Sequence, residues 1–309
     1  MKAPRLINSI AQVHQAFGLA PPRHPLVSVV GVFDPARLDE IADTPIVSEL
    51  YSISLKVGLT GSCLYGRNTY DYQDGTLVFI APGQVVQYTA GGGVADHSQS
   101  WNLLFHPDLI RRSELGRCIG AYSFFHYEAN EALHVSEAEK ACLKDIIDKI
   151  VSEYSANIDR HSQELIVSNI KLLLDYCTRY YDRQFHTRTN LNKDITSDFE
   201  QVLHRYYLRH QHEEHGLPTV AYCGKEMGIS PYYLSDLLKK ETGRTASDYI
   251  HFFVLERAKN SLLGTRQSVT EVAYNLGFIY PQHFSKLFKS KVGVSPREYR
   301  KLGRADKDT

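Results

Sequence analysis

The chain has 309 residues, enough for two domains of ordinary size, and its 43% hydrophobic and 23% charged residues are typical of a soluble globular protein. No apolar run approaches the roughly 20 residues that span a bilayer, and the first ten residues have no apolar core like that of a signal peptide. Because the five cysteines form no CxxC pair, the composition also argues against a disulfide framework and a zinc knuckle. We therefore expect a cytoplasmic protein with no membrane partner.

The net charge of zero hides a difference between the two parts of the chain. Residues 196–309 contain 17 lysines and arginines against 13 acidic residues, whereas residues 1–195 contain 18 against 22. The C-terminal part is therefore mildly basic, which favours an anionic partner there.

Residues 26–105 have the pattern of short strands. Leu26–Phe33 is rich in valine, and apolar and polar residues alternate along Tyr51–Val57, as in a half-buried strand. Three further runs have strand character: Leu77–Ile80, Gln84–Thr89 and Trp101–Phe105. Glycines and the pair Pro82-Gly83 separate these runs as turns. We expect a small barrel or sandwich within residues 1–135.

Residues 136–185 have a helical period instead. Ser136 stands three residues before Glu139, as in a capping box, and apolar residues then follow at helical spacing. A second helix is predicted from Gln163 to Tyr181. This helical hairpin has more apolar surface than one barrel needs, so we predict that it forms a homodimer, with Ile147 and Tyr154 facing the partner. The alternative is that both helices pack on their own barrel. Residues 186–194 are polar and aperiodic, as in a linker.

Residues 195–309 are predicted to be all helical, and they contain an internal repeat of about fifty residues. Its copies are Thr219–Tyr249 and Ser268–Tyr299. Eight aligned positions are identical between the copies: Val220/Val269, Gly228/Gly277, Pro231/Pro281, Ser235/Ser285, Leu237/Leu287, Lys239/Lys289, Gly243/Gly293 and Tyr249/Tyr299. So many identities over some thirty residues indicate a duplicated unit.

Each copy has the pattern of a helix-turn-helix. A short helix ends at Gly228 or Gly277, where a left-handed residue without Cβ strain is needed, so both are predicted structural turn residues. Pro231 or Pro281 then begins a second helix with its φ already set. That helix has one apolar side and one polar, partly basic side, as a helix that enters a major groove requires. The alternative is a pair of plain helical hairpins without a ligand.

The second copy resembles the AraC/XylS family of regulators. The residues that carry the resemblance are Val272-Ala273, Gly277-Phe278, Phe284, Phe288-Lys289, Gly293, Ser295-Pro296 and Tyr299-Arg300. The resemblance covers residues 195–301 and is looser in the first copy, where Cys223-Gly224 replaces an apolar residue and alanine. It implies an α+β protein with a cupin-like sensor barrel and a C-terminal double helix-turn-helix domain at 195–309.

The resemblance also implies a function. We expect a sequence-specific transcription regulator, an activator that responds to a small-molecule effector and works with RNA polymerase. Each DNA-binding domain would contact two adjacent major-groove segments of double-stranded operator DNA.

By the same resemblance, six side chains face base edges: Tyr232, Ser235, Asp236, Gln282, Ser285 and Lys286. Gln282 can bond adenine in a bidentate way, and Lys286 can donate to guanine. Asp236 can accept from a cytosine amino group, or it is simply a solvated charge on the helix surface. Phosphate contacts are predicted for Lys239, Lys240, Lys289, Arg297 and Arg300, each with ordinary solvation as the alternative.

The segment from Gly75 to Pro82-Gly83 is similar to the second cupin motif. A metal-binding cupin has a histidine three residues after that glycine, where this chain has Val86, and the HxH of the first motif is missing. We therefore predict a barrel without metal and interpret His24, His97 and His106 as surface or satisfied core residues.

A second group of histidines, His210, His212 and His215, lies in a polar stretch before the first repeat. No cysteine or carboxylate pair completes a metal site there, so we predict no metal and no cofactor. Two enzymatic alternatives have sequence requirements that can be checked. A cupin-type enzyme fused to a DNA-binding module would need the missing HxH, and a DNA-repair methyl acceptor would need clustered N-terminal cysteines, whereas Cys63 alone precedes Cys118. We expect no enzyme activity.

Overall fold

The computed structural model describes residues 5–31, 44–57, 75–86, 99–127, 131–156, 159–187 and 195–305. The chain divides into two compact units, residues 1–188 and residues 189–309. None of the helices in the described ranges is both long enough and apolar enough to cross a membrane.

The strands of the N-terminal unit form two sheets. The strands are β1 (Arg5–Ile7), β2 (Val27–Val30), β3 (Ile46–Ser48), β4 (Tyr51–Lys56), β5 (Thr76–Ile80), β6 (Val85–Val86), β7 (Trp101–Phe105) and β8 (Leu133–His134). One sheet has the order β2-β7-β4-β5-β8 with antiparallel neighbours, and the other has the order β1-β3-β6 with β1 and β3 parallel. Neither sheet closes on itself within the described residues. The unit is thus a mixture of strands and helices, and the cupin-like barrel remains a prediction.

Alternation along β4 positions the core of this unit. Ile53 and Leu55 are buried, and Ile53 stands opposite Phe79 of β5 and Leu103 of β7. The ring of Phe79 contacts Phe124 and Tyr181, with centroids 4.5 Å and 6.1 Å away. This aromatic packing fastens the sheet to the helices that follow it.

Several short elements carry no detectable sequence period. Besides β1, β3 and β8, they include α1 (Ile10–Ala16), α2 (Pro107–Ile110) and α3 (Glu114–Cys118). His106 accepts from the amide of Asp108 at the start of α2, and His24 accepts from the amide of Leu26. These two histidines therefore serve local backbone groups, while His97 lies outside the described residues.

The helical hairpin consists of α4 (Glu137–Ser155) and α5 (Ser162–Thr187). The capping box of Ser136 and Glu139 is present, with both reciprocal hydrogen bonds. The prediction that Ile147 and Tyr154 face a partner is wrong: they are 1% and 7% exposed, and the Tyr154 hydroxyl accepts from the amide of Val29 at 3.2 Å. The apolar sides of α4 and α5 pack against each other and against the sheet of the same unit.

The C-terminal unit contains only helices in its described residues. They are α6 (Ile195–Leu208), α7 (Gln211–His215), α8 (Val220–Met227), α9 (Pro231–Thr242), α10 (Ala246–Gly264), α11 (Val269–Asn275), α12 (Pro281–Val292) and α13 (Pro296–Ala305). One hydrophobic core joins buried residues from α6 to α12, and Phe284 and Phe288 belong to it as the sequence predicts. Both copies of the repeat are therefore parts of one folded unit.

Candidate nucleic-acid interface

The first helix-turn-helix is formed by α8 and α9. Gly228 ends α8 with a left-handed φ of +71°. The Ser230 hydroxyl then accepts from the amide of Tyr233 at 3.2 Å, and Pro231 is the first residue of α9. The angle between α8 and α9 is thus set locally, by the left-handed Gly228 and by the capped start of α9 at Pro231.

The second helix-turn-helix is formed by α11 and α12. Ser268 and Glu271 cap α11 with a complete capping box. Gly277 follows with φ +93°, and a Cβ there would lie 2.9 Å from the backbone of Gly216. Glycine is therefore required at this position for two reasons: its left-handed φ and the close approach of the Gly216 backbone.

Gln282, Lys286 and Lys289 form an exposed row on α12, the α12 stripe. At 3.6 residues per turn, spacings of four and three residues keep the three side chains within an arc of about 60°. Phe284 and Phe288, both fully buried, lie on the opposite side of the helix. The helix is thus anchored by two aromatic rings, and it presents one amide and two ammonium groups to solvent.

Tyr232, Asp236 and Lys239 occupy the equivalent row on α9, the α9 stripe. Tyr232 is 51% exposed, and the buried Leu234 and Leu238 lie on the other side of the helix. The structure therefore places two of the three predicted readout residues of each helix, Tyr232 with Asp236 and Gln282 with Lys286, on one face of that helix. The two faces differ in charge, because Asp236 corresponds to Lys286.

Ser235 and Ser285 flank the two stripes and are half-buried. The Ser235 hydroxyl accepts from the amide of Ala246 at 3.3 Å, at the start of α10. This contact gives Ser235 a role inside the protein, and its readout role remains a prediction.

The residues predicted to bind phosphate fall into two groups. Lys239, Lys289 and Arg297 are exposed, and Lys240 is half-buried. Arg300 is also half-buried, and its Nε donates to the carbonyl of Leu262 at 2.9 Å, in the last turn of α10. A cation at that position also complements the negative end of the α10 dipole. The phosphate role of Arg300 remains a prediction, although its Nε is already engaged inside the protein.

Sequence reasoning missed the tyrosines that support the second turn. The hydroxyl of Tyr207 donates to the carbonyl of Leu276 at 3.0 Å, and that of Tyr206 donates to the carbonyl of Gly216 at 2.9 Å. The guanidinium of Arg257 lies 4.5 Å from the centre of the Tyr207 ring. The only signal in the sequence is a tyrosine pair on the apolar side of α6, which by itself indicates burial and no particular partner.

A surface ion pair links the two helix-turn-helix units. Lys291 Nζ lies 3.1 Å from Asp248 Oδ1 near the start of α10, and this hydrogen bond lowers the pKa of Asp248. Since both side chains are about half exposed, its contribution to stability is small. On α12, Lys291 points away from the α12 stripe.

Two of the cysteines that the structure describes, Cys177 and Cys223, are too buried to act as methyl acceptors. Cys223 of α8 is fully buried, and burial raises the pKa of its thiol to about 12. Burial also raises the pKa of Cys177. Such thiols carry almost no thiolate at neutral pH, and Cys63 lies outside the described residues.

Known proteins place these features in a family. A family described as a helix-turn-helix domain matches residues 223–302. The chain is 38% identical over 251 residues to the HTH-type transcriptional activator RhaS of Enterobacter sp. strain 638, a match that covers 74% of this chain and 82% of RhaS. The chain belongs to the AraC/XylS family of transcription regulators. It is also 24% identical over 222 residues to the uncharacterised HTH-type regulator YijO of Escherichia coli K12, covering 72% and 74% of the two chains.

Among solved structures, the C-terminal domain of the response regulator YesN from Fusobacterium nucleatum is 26% identical to this AraC-family chain. That match covers 36% of this chain and 98% of the YesN domain, with a TM-score of 0.30. Membership of the family makes the chain a DNA-binding transcription regulator, with double-stranded DNA as its partner.

Proposed function

We propose that this AraC-family regulator reads its operator with α9 and α12, which insert into two adjacent major-groove segments of one DNA duplex. The observation that carries the proposal is the pair of equivalent stripes, exposed at all three residues on α12 and with Asp236 half-buried on α9, set on helices that share one core. A helix with one face anchored and the other polar can meet base edges at its first turns.

The α12 stripe supplies the sequence preference. Gln282 can bond the N6 and N7 groups of adenine in a bidentate way, and Lys286 can donate to O6 or N7 of guanine. In α9, Tyr232 can pack on a thymine methyl group, and Asp236 can accept a hydrogen bond from the amino group of cytosine. Phosphate groups cannot replace cytosine in this contact with Asp236. Ser235 and Ser285 are the flanking polar contacts of each helix.

Phosphate contacts set the affinity. Lys239, Lys240 and Lys289 lie in the second halves of α9 and α12, and Arg297 lies in the first turn of α13. Each cation that neutralises a phosphate releases counterions, so its contribution falls as salt rises. Arg300 is the remaining predicted phosphate contact, although its Nε donates to the carbonyl of Leu262 and its Nη2 is buried.

Binding isotherms at several salt concentrations test these assignments. Full-length variants Gln282→Ala and Lys286→Ala are each expected to lose about 1–3 kcal/mol on the operator and to relax preference at one or two base pairs. Lys289→Ala should weaken operator and random duplex about equally and lower the salt slope by about one unit.

Lys291→Ala is the matched control, because it removes the same charge from the same helix on the side that faces Asp248. It should leave both the base preference and the salt slope near the wild-type values. Equal weakening of all sequences by the Gln282 and Lys286 substitutions would show that α12 does not read bases.

The same proposal extends to regulation. The N-terminal unit has its own core, separate from that of the DNA-binding helices, and we propose that it responds to a small-molecule effector. The regulator would act as a cytoplasmic homodimer that contacts RNA polymerase and has no enzyme activity. On α5, Leu165 and Leu172 are 46% and 42% exposed and stand seven residues apart, so they offer an apolar face to a second copy.

A further inference from the structure

The corner between α6 and α7 brings together two histidines and a carboxylate. His210 precedes α7 with a left-handed φ of +54°, and its Nδ1 lies 2.8 Å from Glu213 Oε1. The rings of His210 and His212 are inclined by 28°, with centroids 6.0 Å apart. One potential ligand atom from each of these three residues lies within 4.8 Å of the others. We call this group the α7 cluster.

His212 gives an independent indication of a ligand. Its side chain is only 9% exposed, yet its Nδ1 has no hydrogen-bond partner. A buried imidazole nitrogen without a partner is unfavourable, and in native proteins it usually has water or an ion against it.

We propose that His210, His212 and Glu213 bind one divalent transition ion of the Zn²⁺ type, with a fourth position open to water. Two imidazoles and one carboxylate are ligands that Zn²⁺ accepts, at about 2.0–2.2 Å, and three protein ligands leave one position of a tetrahedron free. Ligand atoms in such a tetrahedron are roughly 3.3 Å apart. His210 and Glu213 are both exposed, so we expect their side chains to rotate toward the buried His212 when the ion binds.

The site adjoins the turn of the second helix-turn-helix. A Cβ on Gly277 would lie 3.2 Å from Cβ of His212 and 2.9 Å from the backbone of Gly216, which directly follows α7. An ion that restrains α7 therefore also stabilises the surface against which the turn between α11 and α12 packs. Because the ion binds the folded cluster and not the unfolded chain, Zn²⁺ should raise the unfolding temperature of the C-terminal unit.

Isothermal titration of Zn²⁺ into untagged full-length protein tests the proposal, with Co²⁺ absorption as a probe of coordination geometry. The wild type is expected to bind one ion with a tetrahedral Co²⁺ spectrum. Glu213→Gln and His210→Ala, both at exposed positions, should each weaken this binding about tenfold or more. His215→Ala is the matched control, since His215 is an exposed histidine of the same helix outside the cluster. It should bind like the wild type.

Either of two results would overturn the proposal. One is a wild type that binds no ion stoichiometrically, and the other is a His215→Ala variant that loses binding as much as Glu213→Gln does. Circular dichroism of each variant without metal separates loss of the site from loss of the fold, because substitutions at exposed positions should leave the spectrum unchanged. DNA binding is not used as a readout, so failure here leaves the proposed operator recognition standing.

Discussion

The two turn glycines show how far single residues can be understood from sequence. Gly228 and Gly277 are predictable because a helix that stops before a proline start needs a left-handed residue. The difference between them is not predictable, since it depends on Gly216, some sixty residues from Gly277 in the chain. A Cβ on Gly228 would meet nothing within 4 Å, whereas one on Gly277 would meet backbone at 2.9 Å.

This difference leads to a matched pair of substitutions. Gly228→Ala should cost about 1 kcal/mol of folding free energy through left-handed strain alone. Gly277→Ala should cost more, about 2–4 kcal/mol, because the backbone of Gly216 must also move. Urea unfolding of the two full-length variants measures both costs. Equal costs would contradict the close approach of α7 to the second turn.

Cys223-Gly224, the departure from the family pattern in the first copy, also has a physical reason. Cys223 is fully buried, and a Cβ on Gly224 would lie 2.6 Å from the carbonyl of Ile229. The first turn therefore packs more tightly against its helix than an alanine would allow. The hydrogen bond from Arg300 to Leu262 joins residues 38 apart in the chain, so no local sequence pattern predicts it.

At the level of elements, periodicity was informative where elements are long. The strand at Trp101–Phe105 and the capped start of α4 are where the sequence predicts them. Strands of two or three residues, such as β1 and β8, are too short to show alternation. β8 pairs with the edge of the longer β5, and β1 pairs with β3, which has only three residues itself. The prediction for the outward face of the hairpin is wrong because apolar spacing shows that a helix has a buried side, and it does not show what covers that side.

The hairpin now gives a sharper test of dimerisation. Leu165→Glu/Leu172→Glu should convert a dimer to a folded monomer in analytical ultracentrifugation, because both positions are exposed in the single chain. Ile147→Glu should instead destabilise the N-terminal unit by more than about 3 kcal/mol, since it buries a charge in the core. A wild type that is monomeric at high concentration would refute the homodimer.

Two capping carboxylates make the C-terminal helices sensitive to acid. Backbone and side-chain hydrogen bonds from Ser268 lower the pKa of Glu271 below its ordinary value of 4.5, and bonds from Ser295 do the same for Glu298. Their contribution is complete above 4.5 and is lost as pH falls through the lowered values. Glu271→Gln/Glu298→Gln should therefore lose less thermal stability than the wild type between about pH 6 and about pH 3. A wild-type melting temperature that does not change over this range would show that the caps contribute nothing.

At the scale of the whole molecule, the repeat in the sequence and the single core in the structure agree. Residues from α6 to α12 share that core, so the C-terminal unit has what it needs to fold alone. We expect a fragment of residues 195–309 to fold and to shift operator DNA in low salt. A fragment that is folded by circular dichroism and still fails to bind would contradict the autonomy of this unit.

The sequence was sufficient for the family and the repeat, because these depend on local motifs, whereas the readout residues remain a prediction. The sequence was insufficient to predict whether the N-terminal sheets close into a barrel. It was also insufficient to predict the α7 cluster, because the bend of the chain before α7 brings Glu213 close to His210 and His212.

Selection of random duplex DNA by the full-length protein, followed by sequencing, tests the central claim most directly. Two recognition helices on one core should enrich a motif of two conserved segments about one helical turn apart, roughly 10 base pairs. Selection with Gln282→Ala should relax one or two positions in one segment and leave the other segment intact. Enrichment of no motif by a folded wild type, or of the same motif by both proteins, would contradict the assignment of α12 as a reader of operator sequence.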